Sequence, residues 1–548
     1  MTRTKRIITT LLAGAVLPAL AGCGANDIAS PGSGGNIIIN PTPTPSPTPT
    51  PTPTGSVTPA AVCPAISNPT PLTDSGTITG STGTWRVCTL PSIISRSMQL
   101  PKVAGLVYRM NGRVDVGCDG GFVVPSSGTP VTSSTVGCTA ANGFTLNGSG
   151  QLTADTNVTL TIDPGVILFG ETGPSWLAVN RGNKINATGT AARPIIFTSR
   201  ENIAGTNTDN SIGQWGGVVL MGRAPITDCT TGSTTNSTCE RQTEGATTPA
   251  VFGGTNSADN SGTMKYVQIR YSGFVLSANT ELQALTTEGI GSGTTLDFIQ
   301  SHNSSDDGAE FFGGVVNMKH YIATGADDDS LDIDTGLQGA FQYVLIAQRP
   351  GQGDALMEVD SNGNETDLPR HKTIVANFTA IQSQASTNND ANDQASILTR
   401  GNADLTLVNG IVISPNNECL RMNGSGSTAD RTTLVARSVV MQCNATRYIG
   451  TGSYTAADVA AAFGSGTNNN NHAYTPTLAS LFINGATETA VTPLDAKTLN
   501  SFFDTTTYIG AVKDSTDNWY KVWTCNSGYA PFDDTTNANR ACTSLPTT

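Results

Sequence analysis

Three consecutive segments of the chain repeat one pattern at steps of 23 and 22 residues. Phe298-Ile-Gln-Ser-His-Asn-Ser-Ser-Asp-Asp-Gly-Ala-Glu-Phe-Phe is followed by Tyr321-Ile-Ala-Thr-Gly-Ala-Asp-Asp-Asp-Ser-Leu-Asp-Ile-Asp. Tyr343-Val-Leu-Ile-Ala-Gln-Arg-Pro-Gly-Gln-Gly-Asp-Ala-Leu-Met-Glu-Val-Asp comes next. Each unit reads as an aromatic strand, an Asp-rich turn and a second strand with alternating carboxylates. A unit this short cannot bury its own apolar face, so successive units must stack as coils of a solenoid. Gly-rich turns without intervening helices argue against βαβ units. Inward positions then stack Ile on Ile and Phe on Tyr, and outward positions stack Asn, Ser and Asp in ladders. That pattern predicts an all-β parallel β-helix. Strands at Asn377–Ile381, Gly410–Ser414 and Ser438–Gln442 continue it with looser spacing. One helical pattern interrupts it, Tyr454–Phe463, with Thr455 placed to cap the helix and Asp458 three residues on.

The ends of the chain read differently. Arg3, Lys5 and Arg6 precede the apolar run Ile7–Leu20, which is too short for an ordinary membrane span. It ends in Leu20-Ala21-Gly22-Cys23, which resembles the lipobox of bacterial lipoproteins. The resemblance implies cleavage before Cys23 and a covalent diacylglycerol and acyl chain on its thiol. With Gly24 and not Asp at the next position, the resemblance to Gram-negative lipoproteins implies the outer membrane rather than inner-membrane retention. Pro41–Pro53 alternates Pro with Thr or Ser, which favours extended polyproline II at about 3.1 Å per residue. The expected organisation is a signal peptide over 1–22, a lipidated linker over 23–59, a cysteine-bearing cap over 60–145, the β-helix over 146–450 and a C-terminal cap region over 451–548.

Of 11 cysteines, lipidation of Cys23 leaves an even number. An exported chain lives where disulfides persist. Neighbours along the chain give five local bridges, Cys63–Cys88, Cys118–Cys138, Cys229–Cys239, Cys419–Cys443 and Cys525–Cys542. Each contributes about 2–3 kcal/mol in a chain-entropy account. Metal binding is the competing reading, and no C-x-x-C spacing supports it. The chain has a net charge of −13 and no Lys/Arg stripe, which argues against nucleic acid as a partner.

Thr161–Gly170, Leu177–Ser199 and Gln214–Gly222, with Asp306–Asn317, Tyr508–Val512, Trp519 and Trp523, are similar to a group of bacterial exported right-handed β-helix proteins. The resemblance spans roughly residues 155–525. It implies a right-handed pectin-lyase-like fold in a lipoprotein or secreted surface protein. It implies little about activity, because the group is largely uncharacterised.

The candidate site is acidic: Asp306, Asp307, Glu310, Asp327, Asp328, Asp329, Asp332, Asp334, Asp354, Glu358 and Asp360. On stacked coils Glu310 and Asp332 occupy matching places, with Asp354 or Glu358 next. Adjacent coils lie about 4.8 Å apart, so such carboxylates repel unless protonated or neutralised by a cation. Three readings stand side by side. The carboxylates are solvated turn residues. Or Asp307, Glu310, Asp329, Asp332, Asp354 and Glu358 hold calcium. Or Asp306 and Asp307 work with Asp328 and Asp329 as catalytic acid and base, which for inversion need a separation of about 6.5–9.5 Å.

Polygalacturonases on this fold carry Gly-His-Gly and Arg-Ile-Lys motifs, and neither occurs here. A pectate-lyase arginine base has Arg349 and Arg370 as candidates. His302, His320, His371 and His472 show no zinc-ligand spacing. Trp176, Trp215, Trp519 and Trp523 suit sugar stacking or packing, and the last two are placed to cap the C-terminal end. The function expected is an outer-membrane-anchored module that binds a glycan, a protein partner or an outer-membrane transporter. The alternative is a calcium-dependent polysaccharide lyase or glycoside hydrolase.

Overall fold

The computed structural model describes residues 56–547 apart from 278–279, 362–364, 388–393, 426 and 533–540. Cys23, the signal peptide and the Pro/Thr run lie outside the described residues. Two long parallel sheets run the length of the molecule, one of 15 strands and one of 11. The chain alternates between them: Thr295–His302, Val315–Thr324 and Gln338–Ala347 stack in the first sheet. Ala309–Phe312, Asp332–Asp334 and Met357–Val359 stack in the second. This is a parallel β-helix, and the spacing of the sequence repeat is its coil length.

Each long strand of the first sheet bends once. The bend falls at a single residue with positive φ: Tyr266 (53°), Phe298 (54°), His320 (50°), Tyr343 (61°), Asn377 (50°), Asn409 (52°) and Ser438 (55°). The ladder skips that residue, pairing Lys265 with Asp297 and then Val267 with Ile299. Each coil from Gly262–Arg270 onward therefore has three flat sides and one tight corner. In the earliest coils the corner is still a loop, and the two sides are separate strands, as in Lys184–Thr188 and Ile195–Ser199.

Alternate side chains from all three sides fill one continuous core. Phe378 of one coil sits under Gly410 of the next in register. A Cβ at Gly410 would come within 2.0 Å of the Phe378 ring, which explains a glycine inside a strand. Phe311 and Phe341 meet edge to face at 5.0 Å across the core. The helix Ala456–Phe463 closes the C-terminal pole. Thr455 and Asp458 form the expected capping box, and Val459 and Phe463 point into the core.

All five expected disulfides are present, with Cα–Cα distances from 4.8 to 5.7 Å. Two expected boundaries shift. Strands Gly83–Thr89, Leu106–Met110 and Arg113–Val116 pair in parallel with their successors, so the coils begin inside the segment read as an N-terminal cap. The region after the capping helix is mostly not a cap. It runs back along the corner of the long-strand sheet, from a bridge between Asn471 and Val440 to Leu545 beside Trp85. Trp519 and Trp523 therefore pack on the flank of the solenoid rather than over its end. A corner column of side chains gives the returning segment something to hold. Ser438 donates to the Thr492 carbonyl, and Asn409 pairs with the backbone of Leu494. Asn377 donates to the Tyr508 carbonyl.

Candidate functional site

The carboxylates gather on the outward face of the short-strand sheet. Successive coils place Thr286, Glu310, Asp332 and Glu358 in one register. This resolves the expected column: Glu358, not Asp354, follows Asp332. Two residues on along each strand, on the same face, Glu288, Phe312 and Asp334 form a second row. The preceding turns carry Asp306, Asp307, Asp328, Asp329 and Asp354 in a third. These turns climb the coils through their own carboxylates. The Asp329 N–H donates to Asp307 at 2.9 Å, and the Ala355 N–H donates to Asp329 at 2.6 Å.

The reading of these groups as solvated turn residues is overturned, because all of them but the half-buried Asp327 are buried. Part of the cover is a long excursion between two coils, stapled by Cys229–Cys239. Its Phe252 packs on Phe312 at 6.1 Å, and its Arg241 lies over the same ring at 5.3 Å. It also brings Glu244 to the cluster, and its Thr243 hydroxyl donates to Glu288 at 2.7 Å.

Burial dominates the electrostatics. Loss of water pushes Asp306, Asp307, Glu310, Asp329, Asp332 and Asp334 well above the ordinary carboxylate range, and neighbouring carboxylates push further the same way. Burial likewise raises Glu288 to about 8 and Glu244 to about 7. One arginine answers part of the charge: Arg400 pairs with Glu358 at 2.9 Å and Asp360 at 2.7 Å. Arg400 also opposes the rise of Asp332 and Asp334, and Arg241 that of Asp334, but among the described residues neither arginine hydrogen-bonds to them. Asp332 and Asp334 are fully buried, and none of their four carboxylate oxygens has a hydrogen-bond partner among the described residues.

Three groups of carboxylates bring ligand oxygens within 4.8 Å of one another: Asp306, Asp307 and Asp328; Asp307, Glu310 and Asp332; and Asp329, Asp332 and Glu358. Asp307 links the first to the second, and Asp332 links the second to the third. Five of the six residues expected to hold calcium fall in these groups; Asp354 does not. An all-oxygen set of this kind suits a hard divalent cation. Asp306, Asp307 and Asp328 lie closer together than the opening an inverting acid–base pair requires.

The other candidates are each held by partners of their own. Arg349 is tied to Asp327 at 2.7 Å and to the Gly325 carbonyl. Arg370 is held by Asp404 and by the carbonyls of Asp430 and Arg431. Both ring nitrogens of His371 are bonded, to the Asp360 carbonyl and the Thr373 hydroxyl, and burial lowers its pKa to about 4. His320 is stacked between Phe298 and Tyr343, and His302 is buried against Tyr271. His472 meets the Tyr448 hydroxyl at the C-terminal pole. Trp215 is a core residue, and Trp176 is buried under the Cys229–Cys239 excursion.

Sequence reasoning missed Glu244, Glu288, Arg241 and Arg400. For Glu288 and Arg400 the signal existed: each lies on the short-strand face when the coil is stepped backward or forward from Asp334. Glu244 sits on the excursion, where the repeat gives no register.

Two stacked parallel sheets with an internally layered core and one carboxylate-lined face define a parallel β-helix protein. The sequence matches the pectate-lyase-like β-helix domain family over residues 130–487, and the chain belongs to that family. No curated protein sequence matches it. Among solved structures, an alginate lyase from Paenibacillus sp. str. FPU-7 is similar at 9 % identity, covering 52 % of this chain and 80 % of that one, with a TM-score of 0.19.

Proposed function

We propose that this protein is an outer-membrane lipoprotein whose β-helix is a calcium-stabilised, glycan-binding module rather than a polysaccharide-cleaving enzyme. Cys23 carries the lipid, and the Pro/Thr run spaces the solenoid from the membrane. The observation that carries the reading is the pair Asp332 and Asp334, with four buried carboxylate oxygens and no partner among the described residues. Left charged, they cost several kcal/mol each by desolvation. A divalent cation in the linked carboxylate groups removes that cost and supplies fixed positive charge on the sheet face. The pectate-lyase-like family supports a carbohydrate as the ligand class. Against catalysis stand the burial of the acidic face under polypeptide and the engagement of Arg349 and Arg370 in ion pairs.

The test is a thermal melt with EDTA and with millimolar calcium, paired with an assay for unsaturated or reducing products on pectic and alginate polysaccharides. Calcium is expected to raise Tm, with no product formed. An unchanged Tm overturns the calcium site. Product formation that Asp307→Ala or Asp329→Ala abolishes establishes the lyase or hydrolase reading instead.

A further inference from the structure

The returning C-terminal segment lays the Cys525–Cys542 bridge against the flank of the long-strand sheet, and it meets a histidine there. A ring nitrogen of His302 and the two sulfur atoms lie within 4.8 Å of one another, and all three residues are buried. Among the described residues, no other bridge has a third ligand atom so placed. No spacing in the sequence shows this, because the histidine belongs to a coil and the cysteines to the segment that runs back over it.

The hydrogen bonds around His302 decide which nitrogen is free. The Thr324 hydroxyl donates to the Ser301 carbonyl at 3.0 Å, so it accepts from Nδ1 of His302 at 2.9 Å. The Tyr529 hydroxyl, also near Nδ1, donates to Asn303. Nδ1 therefore carries the ring proton. Nε2 is left as a bare lone pair, buried and with no hydrogen-bond partner among the described residues. Burial, with the positive charges of Arg270 and Arg349, holds the ring well below the usual histidine range and keeps it neutral. A neutral imidazole whose other nitrogen donates to an oxygen is the form in which histidine ligates a metal.

The cysteines are fixed by more than their bond. Gln300 pairs with the Cys525 backbone in both directions, at 2.8 and 3.0 Å. The Cys542 carbonyl accepts from Arg270 at 2.8 Å and from Asn202 at 3.1 Å, and its N–H donates to the Asn526 carbonyl at 2.8 Å. None of these contacts needs the sulfur–sulfur bond, so a reduced pair stays beside Nε2. Two thiolates and a neutral imidazole are zinc ligands, and with a divalent ion their charges sum to zero, as a buried site requires.

We propose that the Cys525–Cys542 pair, once reduced, binds a zinc ion together with His302, and that the ion then closes the loop the disulfide otherwise closes. A reducing dithiol supplies two electrons and two protons and leaves as its own disulfide. A phosphine supplies the electrons and leaves as its oxide, with the oxygen and both protons coming from water. Zinc then forms two Zn–S bonds and one Zn–N bond and releases both thiol protons. Bridge and ion are alternative clips on the returning segment, set by redox state. Calcium, which takes oxygen ligands, does not compete for this place.

The test reduces the full chain with a phosphine in excess calcium and titrates it with Co2+ as a stand-in for zinc. Thiolate ligation gives Co2+ an intense charge-transfer band that carboxylate sites do not give. The reduced wild type is expected to show this band and to lose it on addition of zinc, and the oxidised chain to lack it. The double variant Cys525→Ser, Cys542→Ser is expected to lose the band. His302→Gln is expected to weaken cobalt binding by at least about tenfold, the lower end of what even an outer-shell partner is worth. Zinc is expected to raise Tm of the reduced chain and not of the oxidised one. An equally strong band in the double variant places the ion at other thiols and overturns the site. Unchanged affinity in His302→Gln overturns it too, as does a reduced wild type that zinc neither loads nor stabilises. If the double variant fails to fold, His302→Gln, which keeps the disulfide, carries the comparison.

Discussion

Single positions in a layered core are constrained by the coil above and below more than by their neighbours in sequence. Gly410 shows this: its only reason is the Phe378 ring one coil earlier. Gly410→Ala is expected to destabilise the protein by about 1–3 kcal/mol through overpacking, read as a lower Tm. Gly410 was legible as part of a strand but not as an obligatory glycine, because the ring that excludes a Cβ is 32 residues away. Asp332 carries the opposite lesson. Its match to Glu310 was legible from the repeat alone. Its burial was not, because the covering excursion has no periodicity. Asp332→Asn is expected to stabilise the protein in EDTA by about 1 kcal/mol or more, read as a higher Tm, since it removes a buried carboxylate that has no hydrogen-bond partner among the described residues. The same variant is expected to lose much of the calcium increment. A variant that melts like the wild type in both conditions would show that Asp332 holds no cation.

At the scale of the element, burial shifts the carboxylates of the short-strand sheet, and Glu244 of the excursion that covers it, in one direction. Glu288 and Glu244 are raised to about 8 and about 7, whereas the same groups in an unfolded chain titrate near 4.5. Between those values the folded state binds more protons than the unfolded state. Stability therefore falls as pH rises. Without calcium, Tm is expected to drop from pH 5 to pH 8. With calcium the drop is expected to shrink, because the cation takes the place of the protons. A calcium-free Tm that rises over that interval would contradict this account of the sheet. The long-strand sheet was the more legible of the two. Its strands were marked by aromatic starts at Phe298, Tyr321 and Tyr343. What the repeat could not reveal was that Phe298, His320 and Tyr343 turn outward at corners, since only the backbone shows the positive φ.

For the whole molecule, the solenoid, its disulfides and its capping helix were all readable from the sequence. The return of the last 75 or so residues along the flank was not. That segment lacks the repeat, and the residues that hold it, such as Asn377, Asn409 and Ser438, look like ordinary ladder polar groups until the corner is seen. The proposed lipid anchor belongs to this scale. Cys23→Ser is expected to move the protein from the membrane fraction to the soluble fraction and to abolish labelling with radioactive palmitate. Retention in the membrane without label would point to a different attachment.

The returning segment also fixes where the two ends of the folded part meet. Val57, Trp85 and Leu545 share one apolar cluster, so the chain leaves the solenoid at the pole where it entered. With the proposed tether at Cys23, both ends of the folded part would lie at the base, and the pole closed by Ala456–Phe463 would stand farthest out. An epitope inserted in the turn 464–469 would face away from the tether, and one added after residue 547 would sit beside it. The same closeness makes the fold a candidate for circular permutation: a short linker joining the two ends would leave every coil intact, with new termini opened at the outer pole.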